Sequence, residues 1–167
     1  MNQTNTDSNP FWNFSLAIYA QAGVATACLD LQESFGVDVN LLLYVCWCAS
    51  EGRALTTPQI AAADANIADW RRDVVHPIRV LRQGLREYPG VDSTRTVIKQ
   101  AELEAERVQQ QRLQLYSLSG EWVEGGGDLH GNLQQFASFQ GCPPAALAGF
   151  EEAVSDGLRK LSADSSN

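Results

Sequence analysis

Residues 39–50, VNLLLYVCWCAS, are apolar on almost every side when wound into a helix. A helix without a polar face has to be wrapped by other elements round most of its circumference. Asp38 stands where it can cap the first turn, and Glu51-Gly52 where the helix can stop. Periodicity alone also allows a strand over LLLYVCW. The chain offers no second β-branched run to pair with it, so a central core helix is expected. The uninterrupted apolar stretch, residues 41–49, falls far short of the roughly 20 residues that cross a bilayer, so no membrane span is expected.

Wrapping that helix calls for amphipathic partners, and the rest of the chain supplies them. Asn9 can cap a helix opened by Pro10 and running to about residue 21, with Phe11, Phe14, Ile18 and Ala22 on one face and Gly23 as a left-handed stop. Val24, Ala27, Cys28, Leu31 and Phe35 repeat at helical spacing up to Gly36. Thr57 before Pro58, or a Thr56-x-x-Gln59 capping box, starts the next helix. Its stripe of Ile67, Trp70, Val74, Ile78, Leu81 and Leu85 runs through His76-Pro77. A proline inside a helix costs roughly 3 kcal/mol and crowds the preceding turn, so a kink is expected there, with the helix ending near Tyr88. A long helix over about residues 93–118 should bury Val97, Ile98, Ala101, Ala105, Val108, Leu115 and Tyr116. Gly120 and Gly125-Gly126-Gly127 then break the pattern. A short helix near 128–139 follows, and Pro143-Pro144 opens a last one carrying Leu147, Phe150, Val154, Leu158 and Leu161.

The expected fold is therefore all-α, one bundle of about seven helices built round residues 39–49 and the kinked helix 57–87. Its organisation reads as a disordered start (1–8), a helical core (9–119), a Gly-rich linker (120–127), C-terminal helices packing on the core (128–162) and a frayed tail (163–167). A length of 167 residues with 44% hydrophobic content suits one core. A net charge of −8 argues against nucleic acid or anionic membrane as general partners. The first ten residues lack a basic start and an apolar stretch, which makes a cytoplasmic location the expectation. Cys28, Cys46, Cys48 and Cys142 form neither a CxxC pair nor a dense scaffold and read as reduced core thiols.

The segments FWNFSL, LDLQ, DVNLLLYVCW and the helix over 70–86 with its PIRVLR core resemble a proteobacterial family of short uncharacterised helical proteins, a domain of unknown function. The resemblance spans roughly residues 11–116. It implies a small, cytoplasmic, all-helical bacterial protein, and it implies no reaction, cofactor or catalytic residue.

Charge is distributed unevenly: residues 1–70 sum to −6, residues 71–86 to +4 and residues 87–167 to −6. Arg71, Arg72, Arg79, Arg82 and Arg86 lie within about 100° on the kinked helix, where guanidinium forks could hold a partner's acidic surface, a phosphate or a carboxylate. The competing reading pairs them with the chain's own carboxylates. His76 could act as a general base with Asp73 as its orienting carboxylate, but no nucleophile accompanies it. His130 near Asp128, with 54 residues between the histidines, gives no metal-ligand spacing. Asp64 and Asp69 project about 140° apart and form no DDxxD. No GxxxxGK[ST], GxGxxG or GxSxG motif occurs in a suitable setting, so no metal, cofactor or catalytic residue is assigned.

Trp122, in the Gly-rich stretch, either docks the C-terminal helices or serves a partner. Asn40 needs a polar partner or a place in the cap. Arg112, inside an apolar arc, either snorkels to solvent or meets an anion.

Two functions follow. The first is a non-enzymatic interaction or regulatory module that engages an acidic protein through the Arg71, Arg72, Arg79, Arg82 and Arg86 face, with Trp122 as an added contact. The second is a small-molecule-binding protein or enzyme handling an anionic metabolite with the same arginines and His76. A concave arrangement of those side chains favours the second, a flat or convex one the first. A homodimer is compatible with either.

Overall fold

The computed structural model describes residues 9–120 and 125–164, and every regular element among them is helical. The elements are α1 (Pro10–Tyr19), α2 (Val24–Phe35), α3 (Val39–Ser50), α4 (Thr57–Trp70), α5 (His76–Gly84), α6 (Asp92–Ser119), α7 (Leu129–Gln140) and α8 (Ala148–Asp164). A π turn over Arg71–Val75 joins α4 to α5 without a break, so these segments form seven helical rods. The all-α bundle expected from the sequence is the fold observed.

Helix α3 is the hub. Its residues from Asn40 to Cys48 are all buried, and it packs against α1, α4, α6 and α7. Phe11 of α1 stacks on Trp47 at 5.3 Å between ring centroids and meets the edge of Tyr44 at 5.8 Å, an arrangement that aromatic quadrupoles favour. Helix α8 closes the opposite side against α1, α2 and α7 through Phe150 and Val154.

The helix starts follow the side-chain oxygens. Asn9 Oδ1 accepts from Trp12 N at 2.9 Å, Asp38 Oδ1 from Leu41 N at 3.1 Å and Asp128 Oδ1 from Gly131 N at 2.7 Å. At α4 the capping box wins: Thr56 N donates to Gln59 Oε1 at 2.9 Å, and Gln59 N donates back to Thr56 Oγ1. Gly36, at φ 65, stops α2 in the left-handed conformation.

Two expected faces are turned. In α6 the buried residues are Glu102, Ala105, Gln109, Gln110, Leu113 and Ser117, whereas Val97 and Leu115 are exposed. The inward face lies roughly 100° from the expected apolar arc. Along α4 and α5 the expected stripe holds as far as Ile67. Val75, the last residue of the π turn, is buried, and Leu81 beyond it is half exposed. The proline crowding at Pro77 is absorbed by the wide turn, in which His76 N reaches back to Arg71 O. Such a turn accommodates one extra residue and shifts the phase of everything after it. Positions 75, 79 and 82 therefore turn inward beside the half-buried Val74 and Ile78, and Leu81 is left exposed.

Part of the Gly-rich stretch is tied to the turn after α3. Gly125 N and Gly127 N both donate to Gly52 O, at 3.1 and 3.2 Å. Asn132 of α7 secures the same turn: its Oδ1 accepts from Leu55 N at 2.9 Å, and its Nδ2 donates to Arg53 O at 2.9 Å and Val45 O at 3.3 Å.

Candidate functional site

The phase shift at the π turn aims Arg79 and Arg82 at α6, whose inward face carries acids. Arg79 Nε donates to Glu102 Oε1 at 3.0 Å, and its Nη2 to Glu106 Oε1 at 2.6 Å. Arg82 Nε donates to Glu102 Oε2, and Arg82 Nη2 to Glu102 Oε1 at 3.3 Å. Two turns before Arg79, Arg71 Nη1 lies between Asp64 Oδ1 at 2.6 Å and Asp38 Oδ2 at 3.0 Å. Asp38 does double duty: one oxygen caps α3, and the other also accepts from Gln109 Nε2 at 2.8 Å.

Burial alone would raise the Glu102 carboxyl, but the hydrogen bonds from Arg82 and Arg79 outweigh it and hold that group below its ordinary range. Glu106 goes the other way. Burial dominates there, the single guanidinium of Arg79 does not fully offset it, and the neighbouring carboxylates of Glu102 and Asp38 add to the rise.

These ion pairs border a cavity of about 520 Å³. Its walls come from α1, the α2–α3 turn, the start of α3, the π turn with α5, the middle of α6 and the end of α7. Trp12, Leu16 and Tyr19 form one stripe of α1 on it, and Leu103 and Phe139 complete the apolar side. Asp38, Asp64, Arg71, His76, Arg79 and Glu106 supply charge. Ser15, Gln109 and Gln110 also belong to this wall, and each is buried with a polar atom lacking a hydrogen-bond partner: Ser15 Oγ, Gln109 Oε1 and Gln110 Oε1.

The sequence candidates distribute as follows. Arg71, His76 and Arg79 converge on the cavity. Arg82 lies behind it, on Glu102. Arg72 is exposed and takes both oxygens of Asp73, at 2.7 and 2.6 Å, so that carboxylate is engaged away from His76. Arg86 is exposed and forms no ion pair with another described residue. Trp122 lies outside the described residues.

His130 Nδ1 is 2.9 Å from Glu151 Oε1. Asp64 and Asp69 serve different arginines, since Arg112 Nη1 donates to Asp69 Oδ1 at 3.0 Å while its guanidinium covers the Trp70 ring at 4.8 Å. Asn40 is buried and accepts from Gln110 Nε2 at 2.8 Å. Among the described residues no group of three His, Cys, Asp or Glu is placed to hold a metal ion.

Sequence reasoning missed Ser15, Glu102, Glu106, Gln109 and Gln110, and took Asp38 only as a cap. The available signal was the spacing of Glu102, Glu106, Gln109 and Leu113, which places all four on one face of α6.

Fold and site together define an all-helical protein with a mixed polar and apolar cavity beside a half-buried set of arginine–carboxylate pairs. The chain belongs to the family described as "Protein of unknown function (DUF2390)", whose model matches residues 10–113. That segment contains every cavity residue named above except Phe139. Neither a curated protein nor a solved structure matches the chain.

Proposed function

We propose that this protein binds a small organic molecule in the cavity between α1, α3, α5 and α6. The observation that carries the reading is the placement of orphaned polar atoms. Of the five buried side-chain atoms without a partner among the described residues, three belong to residues of this one wall. A buried polar group left unpaired costs about 1–3 kcal/mol, so native proteins concentrate such groups where something completes them. The volume falls in the range of about 300–1,000 Å³ typical of small-molecule sites.

Docking of an acidic protein on the arginine face has less support. Arg71, Arg79 and Arg82 are each already bound to carboxylates of this chain, which leaves Arg86 and the solvent-facing Arg72–Asp73 pair. The anionic-metabolite form of the small-molecule reading loses ground for the same reason.

The test is a thermal-shift screen of the full chain against amines, carboxylates, sugars, nucleobases and apolar compounds, with Leu103→Trp as the blocked form. Leu103 is half exposed on the cavity wall, so the larger ring fills the space with little demand on the core. A true ligand at a hundredfold excess over its Kd adds about 2.7 kcal/mol to the wild type and nothing to the variant. A screen without hits, or hits that shift both forms alike, refutes the assignment.

A further inference from the structure

We infer that the ligand of this cavity is a protonated organic amine with an apolar body, its ammonium group seated against the wall carboxylates of Asp38, Asp64 and Glu106. The inference rests on the cavity being a ligand site and adds the chemistry of the occupant. The charge inventory of the wall comes first. Asp38, Asp64 and Glu106 line it together with Arg71 and Arg79, so carboxylates exceed guanidiniums by one. Arg71 and Arg79 each already contact two carboxylates, whereas an incoming anion would lie near the acids that hold them. His76, exposed at the rim, and the Tyr19 phenol are the remaining ionisable groups of the wall.

The hydrogen-bond inventory agrees. Gln109 Nε2 is committed to Asp38 Oδ2, and a carboxylate accepts only, so the orientation of that amide is fixed. The atom left over, Gln109 Oε1, is an acceptor. Gln110 Nε2 is committed to Asn40 Oδ1, leaving Gln110 Oε1 as a second acceptor. Glu106 uses Oε1 for Arg79, and its Oε2 is a third. These acceptors come from two adjacent turns of α6, and together with the carboxylates of the wall they favour a cationic donor over an anion. Opposite them, Trp12, Leu16 and Tyr19 of α1 offer an apolar and aromatic surface, which suits a hydrocarbon or aryl body and gives the cation ring faces to approach.

The experiment titrates the full chain, by calorimetry at neutral pH, with three probes of one shape: 2-phenylethylamine, 2-phenylethanol and phenylacetate. The amine should bind at least about tenfold more tightly than the alcohol, the difference expected of one charge-assisted contact, and phenylacetate should bind most weakly. Glu106→Gln should remove that preference by weakening the amine about tenfold. Asp64→Asn, which removes a second carboxylate of the wall, should weaken the amine in the same direction should Glu106→Gln fail to fold. Preference for phenylacetate, equal binding of all three, or no binding of the amine up to about 10 mM overturns the inference. Those results leave the cavity reading intact where the Leu103→Trp comparison still yields hits, and a failure of that comparison removes both.

Discussion

Replacing Glu102 by Gln tests the network that shapes the site. Glu102 is 6% exposed and serves two arginines, and the amide keeps its volume while removing its charge. Arg79 retains Glu106 at 2.6 Å. Arg82 loses its carboxylate partner but, with 20% of its side chain exposed, can turn partly to water. The cost therefore lies between that of breaking a fully buried pair, about 3–5 kcal/mol, and that of an exposed one, about 0–1 kcal/mol. A value of about 2–3 kcal/mol follows, a fall in Tm of roughly 4–12 °C for a chain of this size.

The acid dependence has a definite sign. Glu102 has a folded pKa below its ordinary 4.5, so its contribution is complete above the unfolded value and fades as pH falls through the folded one. Glu106, raised instead, favours the folded state as it protonates, and the wild-type-minus-variant difference isolates Glu102 from most of that opposing trend. Urea denaturation of both forms at pH 7 and near pH 3.5 is the assay, with Arg82→Gln closing a double-mutant cycle. A loss under about 0.5 kcal/mol at pH 7, a loss that does not shrink in acid, or a cycle with no coupling refutes the reasoning.

Three further outcomes are expected. Asn132→Ala strips the partner from Leu55 N, Arg53 O and Val45 O in a 2%-exposed position and should cost about 3 kcal/mol in denaturation experiments; less than about 1 kcal/mol would show that water replaces the amide. A Cβ on Gly127 would fall 2.1 Å from Arg53 C, whereas Gly126 has open space round it. Gly127→Ala should therefore destabilise by about 1–3 kcal/mol and Gly126→Ala much less, and equal melting temperatures would contradict the close approach. Burial pushes the Cys28 and Cys48 thiols up to about 12 and raises Cys46 and Cys142 as well. Ellman's reagent should then label the folded chain only on unfolding, and stoichiometric labelling of the native protein would contradict the packing.

The bundle was legible because its determinants are local. A helix apolar on all sides demands to be surrounded, and Asn9, Asp38 and Thr56 announce helix starts through oxygens that act within three residues. Asn132 was invisible to the same reasoning. Its three partners lie 77 to 87 residues away, and nothing in its neighbourhood in the chain distinguishes it from a surface amide.

The site was half legible for a related reason. Reading a stripe across 57–87 assumes 3.6 residues per turn throughout, and the π turn over Arg71–Val75 breaks that assumption at the point where Pro77 already signalled trouble. A one-residue advance in phase brings Arg79 and Arg82 to the inward side beside Ile78 and leaves Leu81 exposed. Helix α6 answers by turning Glu102, Glu106 and Gln109 inward, so its own apolar arc is left facing out. The two misread faces are one event seen from both partners. A proline that displaces the register turns guanidiniums inward, half-buried guanidiniums pair with carboxylates, and a wall built of such pairs cannot close as tightly as an aliphatic one. The cavity stands where that exchange was made, which is why the charged residues that were conspicuous in the sequence and the polar residues that were not end in the same place.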